Sequence, residues 1–299
     1  MLFFSYTSII CITKGAIIMS SIKSTHSLLA VKGLCKQYST FKLDNISFSL
    51  EHGSISGFIG RNGAGKTTAL RCIVGSAIRD AGSVQIFGHS LDSNEASIKQ
   101  IIGIVFGGAL YYETKQLSSI VSVARRFYTM WDDKTYRSLI QRFSLDESKR
   151  VQELSQGMRV KFALAIALSH DAKLLILDEP TSGLDPLSRD ELLDLFLDLV
   201  SDGKRGILFS THITSDLEKC ADSIVHIRTG KIEAACSLSE YKNRYRLTSA
   251  EEARRSNAQI LGTRRNLKGH TALVKADTGI GRKANLEEIM THIDREETK

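Results

Sequence analysis

The sequence is poor in proline, cysteine and tryptophan, with two, five and one of them among 299 residues. The cysteines stand at positions 11, 35, 72, 220 and 236, so they are odd in number and lack C-x-x-C spacing. This pattern argues against a disulfide framework or a zinc site and is typical of a reducing compartment. The sequence also lacks an uncharged apolar run approaching the roughly 18 residues of a membrane-spanning helix. We therefore do not expect the chain to span a membrane by itself.

The remaining composition is that of a soluble globular protein, with 42% hydrophobic and 24% charged residues. The length suggests one large domain or two smaller ones. The net charge is +7, and residues 240–299 carry 13 Lys/Arg against 9 Asp/Glu. Because these charges are mixed in sign, they favour a solvated surface over an interface with nucleic acid or anionic lipid. We expect no nucleic-acid partner.

Residues 1–27 are interpreted as a leader. The segment from Met1 to Thr13 is uncharged and apolar, like the core of a signal peptide. However, no basic segment precedes it, and Lys14 interrupts it before any cleavage site. We interpret the leader as a loose tail or as a segment that is not translated before Met19. A tail that associates with a membrane is the alternative.

Residues 60–67, GRNGAGKT, fit the G-x-x-x-x-G-K-[ST] pattern of a phosphate-binding P-loop. Glycines allow a tight turn whose N–H groups point at anionic oxygens. Lys66 adds positive charge near the β- and γ-phosphates, and the Thr67 hydroxyl is placed to hold Mg²⁺. An apolar strand at 55–59 precedes the loop, and a helix at 68–74 follows it with its N-terminus towards the phosphates. We predict a nucleoside triphosphate site formed by Gly60, Asn62, Gly63, Ala64, Gly65, Lys66, Thr67 and Thr68.

Strand and helix patterns alternate along the rest of the chain. Alternating apolar residues at 28–51 predict antiparallel strands, and the continuous apolar run at 173–178 predicts a central parallel strand. Between about 117 and 148 the spacing is helical. Residues 81–88 predict a turn, a strand and another turn. Further strands are predicted at 101–106, 207–210, 223–227 and 271–275, and an amphipathic end at 285–290. The helical segment is expected to place on one face Val123, Phe127, Met130 and Trp131.

An acidic pair, Asp178 and Glu179, ends the strand at 173–178. In a P-loop ATPase the first acid accepts from the hydration shell of Mg²⁺. The second polarises the attacking water, because that water must lose a proton as the new P–O bond forms. The alternative is an acidic pair that caps the next helix, and the P-loop makes this alternative improbable.

These motifs make residues 28–239 resemble the nucleotide-binding subunit of an ATP-binding cassette (ABC) transporter. Residues 154–158, LSQGM, lie where the family has its L-S-G-G-Q signature. Residues 182–185 match the D-loop, and residues 210–212 match the switch-histidine motif. The resemblance implies that Ser155 and Gly157 contact the γ-phosphate bound by the opposite subunit. It also implies that Asp185 lies near the dimer interface, that His212 touches the γ-phosphate, and that Tyr38 stacks on adenine.

Two departures from the family pattern stand out. Gln156 and Met158 replace a glycine and a glutamine of the signature, as is familiar from ATPases of bacterial ABC-2-type exporters. Gly107 stands where the Q-loop usually has a glutamine that contacts the metal, and glycine has no side chain to do so. Either Glu113 or Gln116 substitutes for that glutamine, or Mg²⁺ keeps an extra water and coupling to the membrane partner is altered.

The resemblance implies an α/β fold built on a P-loop NTPase core with a mostly parallel sheet. It adds an N-terminal antiparallel β subdomain, an inserted helical subdomain at about 109–150 and a small C-terminal accessory extension at 240–299. The implied function is ATP hydrolysis, with ATP and Mg²⁺ bound by catalytic Glu179 and His212 and by metal-binding Thr67 and Asp178. The implied partners are a membrane subunit and a second ATPase subunit, in a homodimer or a heterodimer at the inner face of the plasma membrane.

The runner-up function is a non-transport ABC ATPase, such as one for iron–sulfur assembly. A P-loop GTPase is disfavoured because the N-K-x-D motif that reads guanine does not occur in the sequence.

Overall fold

A computed structural model describes residues 27–106, 113–266 and 269–293, with no side-chain description for residue 266. The predicted leader lies outside the described residues except for its last residue. Gly107 and residues 108–112 also lie outside them.

The N-terminal strands form an antiparallel sheet, as the alternation at 28–51 predicts. The strand order is β2-β1-β4-β5, and β1 pairs with both β2 and β4. From Ile46 to Leu50 alternate residues of β2 are buried, which matches a sheet with one face on the core. The strands are β1 Leu29–Gln37, β2 Lys42–Leu50, β4 Ala81–Ile86 and β5 His89–Ser90.

The second sheet carries the predicted nucleotide site and has the strand order β10-β9-β3-β8-β7-β6. All neighbouring pairs in it are parallel except β9 and β10. Every residue of β3, β7 and β8 is buried, which fits strands covered on both faces. The carboxyl ends of these three strands therefore meet at one edge. The strands are β3 Ile55–Ile59, β6 Ile102–Phe106, β7 Leu174–Asp178, β8 Gly206–Thr211, β9 Ser223–Arg228 and β10 Lys231–Ser237.

Seven helices of the described residues accompany these two sheets. The helix after the P-loop begins at Lys66, two residues earlier than the sequence pattern predicts. The helices are α1 Lys66–Ile73, α2 Leu91–Lys99, α3 Leu117–Phe127, α4 Asp133–Arg142, α5 Gln156–Ser169, α6 Pro186–Val200 and α7 Thr214–Cys220.

The prediction that one helix face carries Val123, Phe127, Met130 and Trp131 is wrong. Val123, Phe127 and Met130 are 67%, 55% and 55% exposed, and α3 instead buries Leu117 and Val121. The helix ends at Phe127, and two tertiary contacts lie at this end. The Tyr128 ring stacks on His170 at 3.6 Å between centroids, and Gln100 Nε2 donates to Phe127 O at 3.1 Å. Met130 and Trp131 therefore lie in the connection to α4 rather than on α3.

The C-terminal residues form a third, antiparallel sheet with the order β12-β13-β11-β14. It packs on the core of the second sheet, because Leu273 and Ile289 belong to one apolar cluster with Leu217. Tyr241 Oη also lies 2.9 Å from His226 Nδ1 on β9, with both side chains buried. The elements are α8 Leu238–Asn243, β11 Tyr245–Ser249, α9 Ala250–Arg255, β12 Ile260–Asn266, β13 Gly269–Lys275, β14 Arg282–Lys283 and α10 Leu286–Ile293.

Candidate functional site

The P-loop connects β3 to α1 as the sequence predicts. Gly60 lies so close to β9 that an added Cβ would come within 2.3 Å of Ile227 O. Gly65 has a φ of +109°, which favours glycine, and an added Cβ would meet the Phe41 ring at 2.6 Å. Behind the loop, Ala64 O accepts from Gly230 N at 3.0 Å in the β9–β10 turn. Contacts with β9, the β9–β10 turn and the Phe41 ring therefore hold the P-loop in place.

Lys66 is buried, with only 6% of its surface exposed. Its Nζ donates to Gly60 O at 2.7 Å and lies 3.4 Å from Glu179 Oε1. A buried ammonium needs an anionic partner, because desolvation of an unpaired charge is costly. The Lys66 ammonium is therefore held between the P-loop backbone and the second acid of the pair. Asn62 is exposed and Thr68 is half-buried beside it on the loop and the helix.

Asp178, at the carboxyl end of β7, accepts a hydrogen bond at each carboxylate oxygen. Thr67 Oγ1 donates to Oδ2 at 2.7 Å, and Ser210 Oγ donates to Oδ1 at 2.5 Å. Ser210 also accepts from Glu179 N at 2.9 Å. Sequence reasoning assigns Ser210 only to a motif and misses its contact with the acidic pair. The signal is a serine at the end of the buried strand β8, where a hydroxyl needs a partner.

Glu179 adopts a left-handed backbone with a φ of +50°. Such a conformation costs a non-glycine residue roughly 1–3 kcal/mol, and this strain clusters at functional sites. Its Oε2 lies 2.8 Å from His212 Nδ1, while its Oε1 faces Lys66. The carboxylate is 22% and the histidine 49% exposed. The structure thus brings the predicted base, the predicted switch histidine and the P-loop lysine into one cluster.

The oxygens of Thr67 and Asp178 fit a magnesium ion better than a metal bound by protein alone. Among residues 27–106, 113–266 and 269–293 there is no group of three or more His, Cys, Asp or Glu that could hold a metal. Mg²⁺ is usually bound by one or two protein oxygens together with substrate phosphates and water. A hydroxyl and a carboxylate 2.7 Å apart beside a P-loop match that donor set.

The signature and D-loop residues form a second cluster on the same chain. Ser155 caps α5, since its hydroxyl accepts from Met158 N at 3.3 Å. Asp185 caps α6 by accepting from Leu187 N and Ser188 N at 3.1 and 3.0 Å, and the bonds with Ser188 hold its pKa below the ordinary value. Gly157 packs beside the D-loop, where an added Cβ would lie 3.0 Å from Leu184. In the described part of the chain, these contacts do not involve the P-loop.

Tyr38 lies in the turn between β1 and β2 and is 44% exposed. Its N–H donates to Phe41 O at 2.7 Å, and the Phe41 ring packs against Gly65 of the P-loop. The turn is therefore adjacent to the phosphate-binding backbone, as a base-stacking residue requires.

Glu113 and Gln116, the predicted substitutes for the Q-loop glutamine, are both exposed. Glu113 O accepts from Gln152 N at 3.0 Å, and Gln116 pairs with Arg150 through the backbone. These contacts place them on the helical segment, and their role near the metal stays a prediction.

Asp216 is a buried acid that sequence reasoning did not single out, although it stands four residues after His212. It is 1% exposed, and burial raises the pKa of its carboxyl. Thr181, which follows Glu179, and Arg189 on α6 oppose that shift, so this acid interacts with both the segment after Glu179 and α6. A lone acidic residue in the first turn of a short helix carries little signal in a sequence.

A strand, a glycine-rich loop, a helix and an acid pair at the edge of a parallel sheet define a P-loop ATPase. The family described as ABC transporter matches residues 43–182. YtrB of Bacillus subtilis, an ABC transporter ATP-binding protein, is 31% identical over 205 residues, 68% of this chain and 69% of that protein. The chain therefore belongs to the family of ABC transporter ATP-binding proteins, and the predicted α/β fold and ATPase class are confirmed.

Other relatives agree with this family. The bacitracin transport ATP-binding protein BcrA of Bacillus licheniformis is 30% identical over 223 residues, 74% of this chain and 73% of that protein. The Nod factor export ATP-binding protein I of Ralstonia nicotianae is 31% identical over 210 residues, 68% of this chain and 65% of that protein. A solved ATP-binding subunit of an ABC transporter is 29% identical with a TM-score of 0.66, and the match covers 72% of this chain and 92% of that one.

Proposed function

We propose that this chain is the ATP-hydrolysing subunit of a bacterial ABC exporter and that it drives a separate membrane subunit. The observation that carries the proposal is the convergence of Lys66 and His212 on the Glu179 carboxylate. Beside them, Thr67 and Ser210 orient Asp178. These are the groups that hydrolysis of a phosphoanhydride needs, arranged around the P-loop.

The proposed chemistry assigns one task to each side chain. Glu179 accepts the proton of the attacking water, and His212 fixes the orientation of that carboxylate from its other side. Lys66 leaves Gly60 O and Glu179 and binds the γ-phosphate, whose developing negative charge it stabilises. Mg²⁺, held by Thr67 and Asp178, would neutralise charge on the phosphate oxygens. Tyr38 would stack on the adenine ring.

The separation of the two clusters supports a shared site. Ser155 and Gly157 lie at the N-terminus of α5, where free N–H groups and the helix dipole favour an anion. Because their contacts within the chain lead to the D-loop rather than the P-loop, we propose that they complete the site of another subunit. That subunit is a second copy of this chain or a paralogous ATPase, with Asp185 near the interface.

Contact with a membrane subunit is assigned to the helical segment. No helix in the described ranges is long and apolar enough to cross a membrane. Val123, Phe127 and Met130 are exposed apolar side chains of this segment, and contiguous exposed apolar surface marks interaction sites. We therefore place the chain at the inner face of the plasma membrane, with residues 28–239 as the ATPase domain and residues 240–299 as an accessory extension.

Export rather than iron–sulfur assembly is supported by the relatives. Bacitracin transport and Nod factor export are the roles printed in the names of two of them. Because those proteins are the ATP-binding parts of transport systems, we extend export to this chain. The cargo would be recognised by the membrane subunit.

Glu179→Gln tests the proposal. The amide keeps the shape of the side chain but cannot accept the proton of water, so turnover should fall by about 10²–10⁴-fold. ATP binding should persist, because Lys66 and the P-loop backbone are unchanged. The measurements are the steady-state ATPase rate and the ATP Kd of the full chain.

The matched control is Glu95→Gln on α2, where the carboxylate pairs only with Lys99 among the described residues. We expect wild-type turnover from it. Near-normal turnover of the Glu179→Gln variant would remove Glu179 from the role of general base.

A further inference from the structure

The Tyr38 ring contacts an ion pair whose residues lie outside the nucleotide-binding motifs. Lys36 Nζ stands 5.5 Å from the centroid of the ring, within the distance of about 6 Å for a cation–π contact. The same ammonium donates to Asp80 Oδ1 at 2.9 Å. The Lys36 side chain is 17% exposed, whereas Tyr38 is 44% exposed. The ring thus faces a cation that Asp80 holds, and it is partly open to solvent.

Asp80 binds the end of β1 directly before Tyr38. Its Oδ2 accepts from Gln37 N at 2.6 Å, and its own N–H donates to Cys35 O at 2.9 Å. The bond from Gln37 and the pairing with Lys36 hold the pKa of Asp80 below its ordinary value, so the carboxylate is charged at neutral pH. The segment between α1 and β4 therefore fixes three consecutive residues of β1.

The turn beyond Tyr38 is fixed on its other side by the P-loop. Tyr38 N donates to Phe41 O, and Phe41 packs against Gly65. The Tyr38 backbone is thus held between the Asp80 contacts and the phosphate-binding loop. The Lys36 ammonium then contacts the ring itself, at a distance where a cation–π interaction favours one orientation of the ring.

We propose that Lys36 and Asp80 are positioning residues that preset the Tyr38 ring for stacking on the base of a nucleoside triphosphate. This inference rests on the proposed function, because the base comes from the ATP that the P-loop holds. A ring ordered before binding loses less side-chain entropy when the base stacks on it. Through the ring, the ion pair should strengthen binding of the base. It should not change binding of the phosphates, which other residues bind.

Lys36→Met removes the ammonium and keeps most of the aliphatic stem. We expect the Kd of ATP to rise by about two- to tenfold, the equivalent of ordering one side chain on binding. The Kd of inorganic tripolyphosphate, which has no base, should not change. Isothermal titration calorimetry on the full chain measures both constants. Lys36→Arg should restore ATP affinity, since arginine also pairs with carboxylates and packs on aromatic faces.

Lys99→Met is the matched control, because Lys99 pairs with Glu95 at 2.5 Å on α2 and has no described contact with Tyr38. It should leave both constants unchanged. The effect of Lys36→Met should also disappear in a Tyr38→Ala background, since a positioning residue acts only through the group that it positions.

Three results would overturn the inference alone. One is a wild-type ATP affinity in the Lys36→Met variant, and a second is an equal loss of affinity for ATP and tripolyphosphate. An undiminished effect in the Tyr38→Ala background has the same meaning, because Lys36 would then act on the nucleotide without the ring. If the wild-type chain itself binds no ATP, the proposed function fails together with the inference.

Discussion

Replacing Ser210 by alanine probes the contact between β8 and the acid pair on β7. The hydroxyl is fully buried, donates to Asp178 Oδ1 at 2.5 Å and accepts from Glu179 N at 2.9 Å. Glu179 N keeps a second acceptor in Ser210 O at 3.1 Å, so the main loss is the bond to the carboxylate. A hydrogen bond to a charged group contributes about 1.5–3 kcal/mol. We therefore expect Ser210→Ala to lower the free energy of unfolding by about 2 kcal/mol.

Urea denaturation measures this loss. With an m-value of about 3 kcal/mol/M, the midpoint should fall by about 0.7 M. The Mg²⁺ concentration for half-maximal ATPase activity should also rise, because Asp178 keeps only the Thr67 contact to orient it. Ser56→Ala on β3 is the matched control. Its hydroxyl is equally buried but finds no partner among the described residues, so its removal should leave the free energy of unfolding unchanged or raise it.

An equal effect of Ser210→Ala and Ser56→Ala on the midpoint would refute the reasoning. So would a loss of stability with an unchanged Mg²⁺ requirement, because the hydroxyl would then support packing alone.

Two further predictions concern the contacts that end α3. Burial lowers the pKa of His170 from 6.5 to about 4. The folded state therefore favours the neutral imidazole, and this contribution to stability is fully present above pH 6.5. It amounts to about 3 kcal/mol at most and is lost as the pH falls towards 4. His170→Phe keeps a ring for Tyr128 to stack on and removes the titrating group. The urea midpoint should then depend less on pH between pH 6.5 and 4. An unchanged pH dependence would contradict the inference that burial lowers the pKa of His170. Gln100→Ala removes the acceptor of Thr129 N, a 2.9 Å bond, and hydrogen exchange of that amide should accelerate about fivefold. Exposed Gln141 on α4 provides the control substitution, and equal exchange rates in the two variants would count against this contact.

The sequence predicts which side chains meet at the carboxyl ends of the parallel strands, because its motifs are local. The P-loop, the acid pair and His212 each depend on a few consecutive residues at the end of a strand, and parallel strands bring those ends together. The strands themselves follow from continuous apolar runs, since a strand buried on both faces has few polar residues.

Features that depend on distant contacts could not be predicted. The end of α3 is set by Gln100 and His170, which are 27 and 42 residues away along the chain from Phe127 and Tyr128. The Lys36–Asp80 pair joins residues 44 positions apart, and nothing in either local pattern indicates it. Ser210 likewise contacts Asp178 only because β7 and β8 are neighbours in the sheet. Gly107 itself lies outside the described residues.

The central claim is a site made from two subunits, and mixing two inactive variants tests it most directly. Glu179→Gln removes the base but keeps an intact signature. Ser155→Asp keeps a good cap for α5 but places a negative charge where the γ-phosphate of the other subunit would bind. Each variant alone should hydrolyse ATP poorly, and each should bind it at its own P-loop.

An equimolar mixture should recover about a quarter of wild-type turnover, because about half of randomly paired dimers are mixed and each has one productive site of two. The ATPase rate of the mixture, measured at the total concentration used for each variant alone, gives the answer. Recovery to that level is the predicted result. A mixture no more active than its components would contradict a site shared between two copies of this chain.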